Sequence, residues 1–365
     1  MSAVKGAVMY GFMEPLKVES VTLKDPRPDE VVVKLAASGV CHSDLSVVQA
    51  KIPFPPPVIL GHEGAGIVEE VGKDVKDLKA GDHVVLSWVQ NCGKCHYCVA
   101  DHHHLCEANI KAMMNPGEEA VFEKDGLQIA RMAGVGSFAE RTIVRGTAAV
   151  KIDSTIPMEA ACLVGCGVMT GVGAAINTVK VEPGETVAVF GCGGVGLNVI
   201  QGAALRGAAK IIAVDLMPSK LEMARQFGAT DVVNGKEADP IEAIKSLTGG
   251  HGVDYAFEVI GAPAVITQAF NALKRGGKCV VVGVPGLGQE VSIMGAALSL
   301  EEKSLVGSLY GSANMRRDMP RLLDLYMQKR LKLDELISRR IKLEDVNSAF
   351  EAMEKGEVAR SVIVY

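Results

Sequence analysis

The stretch TVAVFGCGGVG, Thr186 to Gly196, decides the fold. TVAVF, apolar and partly β-branched, reads as a strand, and the glycine-rich segment that ends it, Gly191, Gly193, Gly194 and Gly196 around Val195, reads as a tight turn opening a helix. Glycines alone would say little. Between a strand and a helix they expose backbone amides and a helix N-terminus that can receive a pyrophosphate. Nineteen residues past Gly196, at the end of the strand-like KIIAVD, stands Asp215. A carboxylate there would hold the adenosine ribose hydroxyls and repel a 2′-phosphate, favouring NAD over NADP. A turn or capping role for Asp215 fits its place after KIIAV less well. Lys220 either adds a hydrogen bond to the same ribose or is a solvated helix lysine.

Outward from this stretch the texture is regular. A helix to Arg206, the strand KIIAVD, a helix to Phe227, DVV, a helix to Leu247, VDYAFEVI, a helix to Lys274 and KCVVVGV follow in turn. Such alternation predicts an α/β domain with a doubly wound parallel sheet over residues 168–309. Before about residue 168 the pattern differs: VVVKLAAS (31–38) reads as a strand, a short helix follows Asp44, and glycines and prolines then punctuate a largely β domain. After Tyr310 a helix near Met319 to Gln328 and the strand-like SVIVY are expected to return to that first domain, which then spans 1–167 and 310–365. At 365 residues two domains suit the chain better than one. The net charge of −5 and the lack of a basic cluster give no footprint for nucleic acid, and no apolar run approaches a membrane span.

Chemistry enters with the cysteines. Cys92, Cys95, Cys98 and Cys106 are spaced C-x2-C-x2-C-x7-C, in a loop without apolar periodicity. Four thiolates this close can converge on one tetrahedral zinc, and the metal would supply the order that packing cannot. Disulfides or a redox C-x-x-C are weaker readings, because the nine cysteines are odd in number and Met1 to Tyr10 does not resemble a signal peptide. A cytoplasmic protein is expected. Cys162, Cys192 and Cys279 read as small buried thiols. His102, His103 and His104 read as a solvated run rather than a third metal site.

A second constellation is dispersed. Cys41 opens CHSD, His62 lies in GHEG, and Cys166 in GCG. Two thiolates and an imidazole leave a fourth zinc position open, which is what a Lewis acid needs if a hydroxyl is to ionise near neutral pH. Asp44 would accept the free N–H of His62, Glu63 would add negative charge nearby, and Ser43 would relay a proton.

Together the two constellations and the glycine turn resemble the zinc-dependent medium-chain alcohol dehydrogenases over nearly the whole chain. The resemblance is carried by CHSD (41–44), GHEGAG (61–66), the four-cysteine loop, GCGVMTG (165–171), VFGCGGVG (189–196), FEVIG (257–261), VGVP (282–285) and GEVARS (356–361). It implies a GroES-like β domain and a Rossmann domain. Catalytic zinc would sit on Cys41, His62 and Cys166, with structural zinc on the four-cysteine loop, two zincs per chain in all. It further implies that His42 and Arg360 contact the pyrophosphate, that Thr170 and Val195 touch the nicotinamide, and that Val259, Val282 and Val284 line the NAD site within their motifs. Trp88, Leu309 and Ile110 would shape the substrate pocket.

The chain departs from the family in three places. Ser46 stands where many members end the proton relay with histidine. Ile110 stands where the glutathione-dependent branch has an arginine for the substrate carboxylate. Trp88 occupies a pocket position often held by phenylalanine, which suits an aromatic or allylic substrate, although a tryptophan packed in the core reads as well. The expected activity is reversible oxidation of primary or secondary alcohols to aldehydes or ketones with hydride transfer to NAD. A polyol or amino-alcohol dehydrogenase of the same superfamily, and a non-catalytic zinc- and NAD-binding structural or sensor protein, are the alternatives. The insertion from Lys111 to Val135, containing GEEAVFEKDG, accompanies dimers in the family, so a homodimer is expected, with a tetramer as the other assembly.

Overall fold

The computed structural model describes residues 1–114, 117, 120–356 and 359–365. Glu118 and Glu119 of GEEAVFEKDG and Glu357 and Val358 of GEVARS therefore lie outside the described residues. The chain divides into two compact units, Met1–Cys166 with Asn314–Tyr365, and Gly167–Ala313.

In the first unit, strands Ser2–Met9, Lys17–Leu23, Phe122–Lys124, Leu127–Arg131 and Val58–Ile59 close into a barrel. A second sheet is centred on Glu30–Val40, an eleven-residue strand paired with Glu63–Val71, Arg141–Arg145 and Arg360–Val364. The C-terminal strand thus does belong to the N-terminal unit: Ser361 pairs with Val40 and Val362 with Gly39. The hairpin Phe122–Lys124/Leu127–Arg131 lies inside the insertion and turns through Asp125 and Gly126, both at positive φ (50° and 81°). That is the backbone that Asp-Gly hairpin turns adopt. Two apolar cores hold the unit, one in and around the barrel with Met9, Ile59, Phe122 and Phe138, the other under the long strand with Val31, Val33, Leu35 and Leu86.

In the second unit six parallel strands are ordered Asp231–Asn234, Lys210–Asp215, Thr186–Phe190, Val253–Glu258, Leu273–Val281, Ser304–Gly307. The order reverses between Thr186–Phe190 and Val253–Glu258, where doubly wound sheets open a crevice at their carboxyl ends. Phe190, Ile212, Ala256, Phe270 and Cys279 lie in its core. The sequence placed helix as far as Lys274, but the helix is Pro263–Asn271 and Leu273 already pairs with Val253. Domain limits differ slightly from 167/168 and 309/310. Residues 310–313 stay with the second unit because Asn177 Nδ2 donates to the Gly311 carbonyl at 3.2 Å and Thr178 Oγ1 lies 2.8 Å from Ser312 Oγ.

Candidate metal centres and dinucleotide site

Strand pairing assembles the dispersed candidate ligands. Antiparallel register sets Gly39 opposite Glu63, so the residues just beyond, Cys41 and His62, fall side by side. A side chain at Gly39 would collide with the Glu63 carboxylate. Gly61, at φ 86°, lets the chain turn into His62 while pressed against Phe138, whose N–H would lie 2.7 Å from a Cβ there. Cys166 follows the helix Met158–Val164 through Gly165, where a Cβ would lie 3.4 Å from the Cα of Glu63. One donor atom from each of Cys41, His62, Glu63 and Cys166 lies within 4.8 Å of the others, and all four residues are enclosed.

Asp44 fixes this cluster. Its buried carboxylate accepts from Cys41 N (2.9 Å), Gly61 N (3.0 Å) and His62 Nδ1 (3.0 Å). With the proton on Nδ1, the imidazole turns Nε2 to the thiols, the tautomer a metal ligand needs. Burial drives the His62 pKa down, but the Asp44 charge and hydrogen bond outweigh it and hold it well above the ordinary value. The Cys41 thiol is drawn well below its ordinary range by the hydrogen bond from Cys166, with Arg360 and His62 adding to it against burial. A thiolate is therefore favoured where a soft cation would bind.

Glu63 and Arg360 form a pair that no sequence pattern announced. Arg360 Nη1 lies 3.3 Å from Glu63 Oε1, both side chains almost wholly buried. Burial raises the Glu63 carboxyl to about 7, with Arg360 opposing and the Cys41 charge adding to the rise. Arg360, expected at the pyrophosphate, thus has Glu63 as a buried partner, because the Ser361–Val40 pairing brings residue 360 alongside Cys41. Ser43 Oγ is 4.0 Å from Cys41 Sγ on the half-buried face of the helix His42–Val48, which also carries Ser46; His42 is exposed.

The four-cysteine loop converges equally well. The Sγ atoms of Cys92, Cys95, Cys98 and Cys106 lie within 4.8 Å of one another. Zinc–sulfur bonds of about 2.3 Å place tetrahedral ligands about 3.8 Å apart, inside that limit. Backbone amides already point at the sulfurs, Cys92 N to Cys106 Sγ and Cys95 N to Cys92 Sγ, each at 3.4 Å. The Cys98 and Glu107 amides lower Cys95 to about 6 while burial raises Cys98 to about 12, an uneven set that one divalent cation would bring to a common thiolate state. All nine cysteines are free, and among the described residues neither metal cluster includes His102, His103 or His104. Cys162, Cys192 and Cys279 are buried thiols, each raised chiefly by burial.

In the second unit the glycine turn has the cradle shape a phosphate needs. Gly191 has φ 98°, and a Cβ on Gly196 would overlap the Gly191 carbonyl oxygen. Gly193 caps the helix Gly194–Leu205. Asp215 ties the turn down, accepting from Cys192 N at 2.8 Å through one oxygen and from Leu216 N and Met217 N (2.7 and 3.0 Å) through the other. It is thus a turn-organising residue, and the carboxylate keeps lone pairs for ribose hydroxyls. Lys220 is half-buried in the next helix. Thr170 is on the helix Gly167–Gly173, which meets Val195 so closely that a Cβ on Gly171 would overlap the Val195 carbonyl. Val259 and Val282 are half-buried and Val284 exposed on the turns after the next two strands. Of the expected pocket residues, Trp88 packs on both cores of the first unit, Ile110 is half exposed on Glu107–Met114, and Leu309 is exposed in the second unit.

Comparison with known proteins agrees with this chemistry. Residues 27–154 match the alcohol dehydrogenase GroES-like domain, and residues 194–328 match the zinc-binding dehydrogenase family. The S-(hydroxymethyl)glutathione dehydrogenase of Saccharomyces cerevisiae is 40% identical over 98% of this chain and 95% of its own. The chain belongs to the zinc-dependent medium-chain alcohol dehydrogenases. The NDMA-dependent alcohol dehydrogenase of Amycolatopsis methanolica is 39% identical, over 99% of this chain and 98% of its own. The crystal structure of benzyl alcohol dehydrogenase from Acinetobacter calcoaceticus superposes with a TM-score of 0.93 at 35% identity, covering 100% of this chain and 99% of that one. The fold is accordingly a GroES-like unit and a Rossmann-type unit, and the chain is an enzyme that oxidises alcohols.

Proposed function

We propose that this dehydrogenase oxidises aromatic or allylic alcohols reversibly to the corresponding aldehydes or ketones, with hydride transfer to NAD. The enclosed Cys41–His62–Cys166 set with Asp44 fixing the imidazole supports the alcohol oxidation, and the apolar Trp88, Leu309 and Ile110 together with the likeness to a benzyl alcohol dehydrogenase support the substrate class. Zinc held there would supply Lewis acidity, lowering the pKa of the substrate hydroxyl and polarising the carbonyl in reverse.

The chain's own residues do the rest. Ser43, beside Cys41, accepts the hydroxyl proton; Ser46, on the same helix in place of a histidine, offers no imidazole to carry it onward. The Gly191–Gly196 turn and the helix it opens bind the pyrophosphate, with His42 and Arg360 as the side chains assigned to contact it. Asp215 holds the ribose hydroxyls and disfavours a 2′-phosphate. Thr170 and Val195 orient the nicotinamide, a positioning effect that contributes up to roughly 7–11 kcal/mol in favourable cases. Val259, Val282 and Val284 line the rest of that site. Trp88, Leu309 and Ile110 supply apolar pocket surface, and Ile110 offers no charge for a glutathione carboxylate. We further assign one zinc to each cysteine-containing cluster, a homodimer, and a cytoplasmic location.

NADH absorbance, followed with ethanol, benzyl, cinnamyl and long-chain alcohols, a polyol and S-(hydroxymethyl)glutathione, each with NAD and with NADP, tests the reading. Benzyl or cinnamyl alcohol with NAD should give the highest kcat/KM. Preferred turnover of the glutathione adduct or the polyol would overturn the substrate class, and equal use of NADP would overturn the role of Asp215. Cys166→Ala or His62→Ala should abolish turnover and leave NADH binding in place.

A further inference from the structure

Glu258 ends the strand Val253–Glu258, next to the point where strand order reverses, and is completely buried. Carboxylates are seldom buried so fully unless something engages them. One oxygen, Oε1, accepts three consecutive backbone amides, Ile260 N at 2.9 Å, Gly261 N at 2.7 Å and Ala262 N at 3.3 Å. The other makes no hydrogen bond to the described residues. The main chain of the same residue is equally occupied: its carbonyl accepts Val282 N at 2.8 Å and Gly283 N at 3.0 Å from the turn after the neighbouring strand.

Both turns are held in close register. A Cβ on Gly283 would overlap the amide of Gly261, and one on Gly261 would lie 2.7 Å from the Val284 carbonyl carbon. The first turn also touches the glycine-rich cradle. Val259 N donates to the Phe190 carbonyl at 3.1 Å, and a Cβ on Gly191 would lie 2.7 Å from Ile260 Cγ1. A Cβ on Gly196 would come within 3.2 Å of Val259 Cγ2. Glu258 therefore ties two of these turns together, and the first of them packs on the glycine-rich turn through Val259 and Ile260. Ala and Gly residues supply no side-chain acceptor for these amides, so without Glu258 the donors would have to find others.

We propose that Glu258 is a positioning residue for dinucleotide binding: its carboxylate clamps the 260–262 turn against the glycine-rich cradle and so sets the shape of the crevice. This rests on the reading of Gly191–Gly196 as the NAD site. Removing an acceptor from three amides frees the turn that presents Val259, and through it the adjoining turn with Val282 and Val284. The loss falls on the cofactor rather than the alcohol.

The test titrates protein fluorescence with NADH for wild type, Glu258→Ala, Glu258→Gln and Glu258→Asp, and follows thermal unfolding and steady-state kinetics in parallel. Glutamine keeps an oxygen where Oε1 sits; aspartate keeps the charge but withdraws the oxygen by one methylene. The expected outcome is a Kd for NADH, and a KM for NAD, raised by about tenfold or more in Glu258→Ala and Glu258→Asp. Binding should be restored to within about threefold of wild type in Glu258→Gln, with the KM for the alcohol unchanged in all three, the pattern expected if the acceptor oxygen rather than the charge matters. Lower unfolding temperatures with unchanged NADH affinity would overturn the proposal in favour of a purely structural residue, and so would a Gln variant as weak as the Ala variant. Should Ala prevent folding, the Asp and Gln pair decides alone. Wild-type protein that binds neither NADH nor NADPH would overturn the dinucleotide reading itself, and this proposal with it.

Discussion

Asp44 Oδ1 lies 3.0 Å from His62 Nδ1, and through Oδ2 the same carboxylate accepts the amide of Cys41 at 2.9 Å. One side chain thereby sets the tautomer of one candidate ligand and the backbone of another. Loss of a carboxylate behind a metal-bound histidine typically weakens metal binding about 10- to 100-fold. Asp44→Ala should release zinc to a chromogenic chelator at a concentration that leaves the wild type loaded, while the four-cysteine zinc is retained. Retention of both zincs with unchanged affinity would remove Asp44 from the metal site.

The cysteine loop is tied to the helix Met315–Met327 by Asp101, which accepts from Asn314 Nδ2 at 3.2 Å and lies 3.6 Å from the Arg317 guanidinium. Metal in the loop should therefore stabilise more than the loop. Cys98→Ser is expected to lose one zinc by native mass spectrometry and to unfold at a temperature lower by several degrees. A chelator that strips only this site should do the same to the wild type. An unfolding temperature independent of the loop zinc would show that packing alone orders the segment.

Arg131 and Glu30 form a buried ion pair, Nη2 to Oε1 at 2.9 Å, and the same guanidinium donates to the Ile143 carbonyl. Breaking such a pair strands a charge in the core. Arg131→Met should cost about 3–5 kcal/mol in urea unfolding, whereas the double variant Glu30→Gln, Arg131→Met should recover a large part of that loss. Equal destabilisation by the single and double variants would mean that shape, not the stranded carboxylate, dominates.

Asp254 accepts the amide and hydroxyl of Thr186 at 2.9 and 2.8 Å and pairs with Lys274. Burial would raise its carboxyl, but Lys274 and the Thr186 donors outweigh it and hold it below the ordinary 3.8. A carboxyl depressed on folding stabilises above its unfolded value and loses that stabilisation as pH falls through the folded one. The gap in unfolding temperature between wild type and Asp254→Asn should be constant from pH 7 to about 5 and narrow below about pH 4. A gap that widens in acid would reverse the sign and exclude the ion pair as its source.

Local patterns made much of this protein legible. Alternating strands and helices after Thr186, the glycines from Gly191 to Gly196 and the spacing of Cys92, Cys95, Cys98 and Cys106 each depend on neighbours within a few residues, so the chain displays them directly. The Asp125–Gly126 hairpin was passed over within the insertion, although an Asp-Gly pair between β-prone residues signals such a turn. The break between the helix Pro263–Asn271 and the strand that follows was not legible, because pairing of Leu273 with Val253 overrides the local pattern.

The sequence by itself determined the kinds of chemistry available: four clustered thiols, two thiols and an imidazole in a dispersed set, a glycine-rich turn ahead of a helix, and the carboxylate of Asp215. Only tertiary structure decided which distant groups meet. Register between Gly39 and Glu63 sets Cys41 beside His62, and the return of the C-terminal strand to Val40 brings Arg360 to Glu63. Glu30 meets Arg131 across 101 residues, and Glu258 gathers amides from two turns. Burial decided the rest: a carboxylate reads the same in sequence whether solvated or enclosed, yet once water is removed it must find donors in the protein, and those partners give it its role.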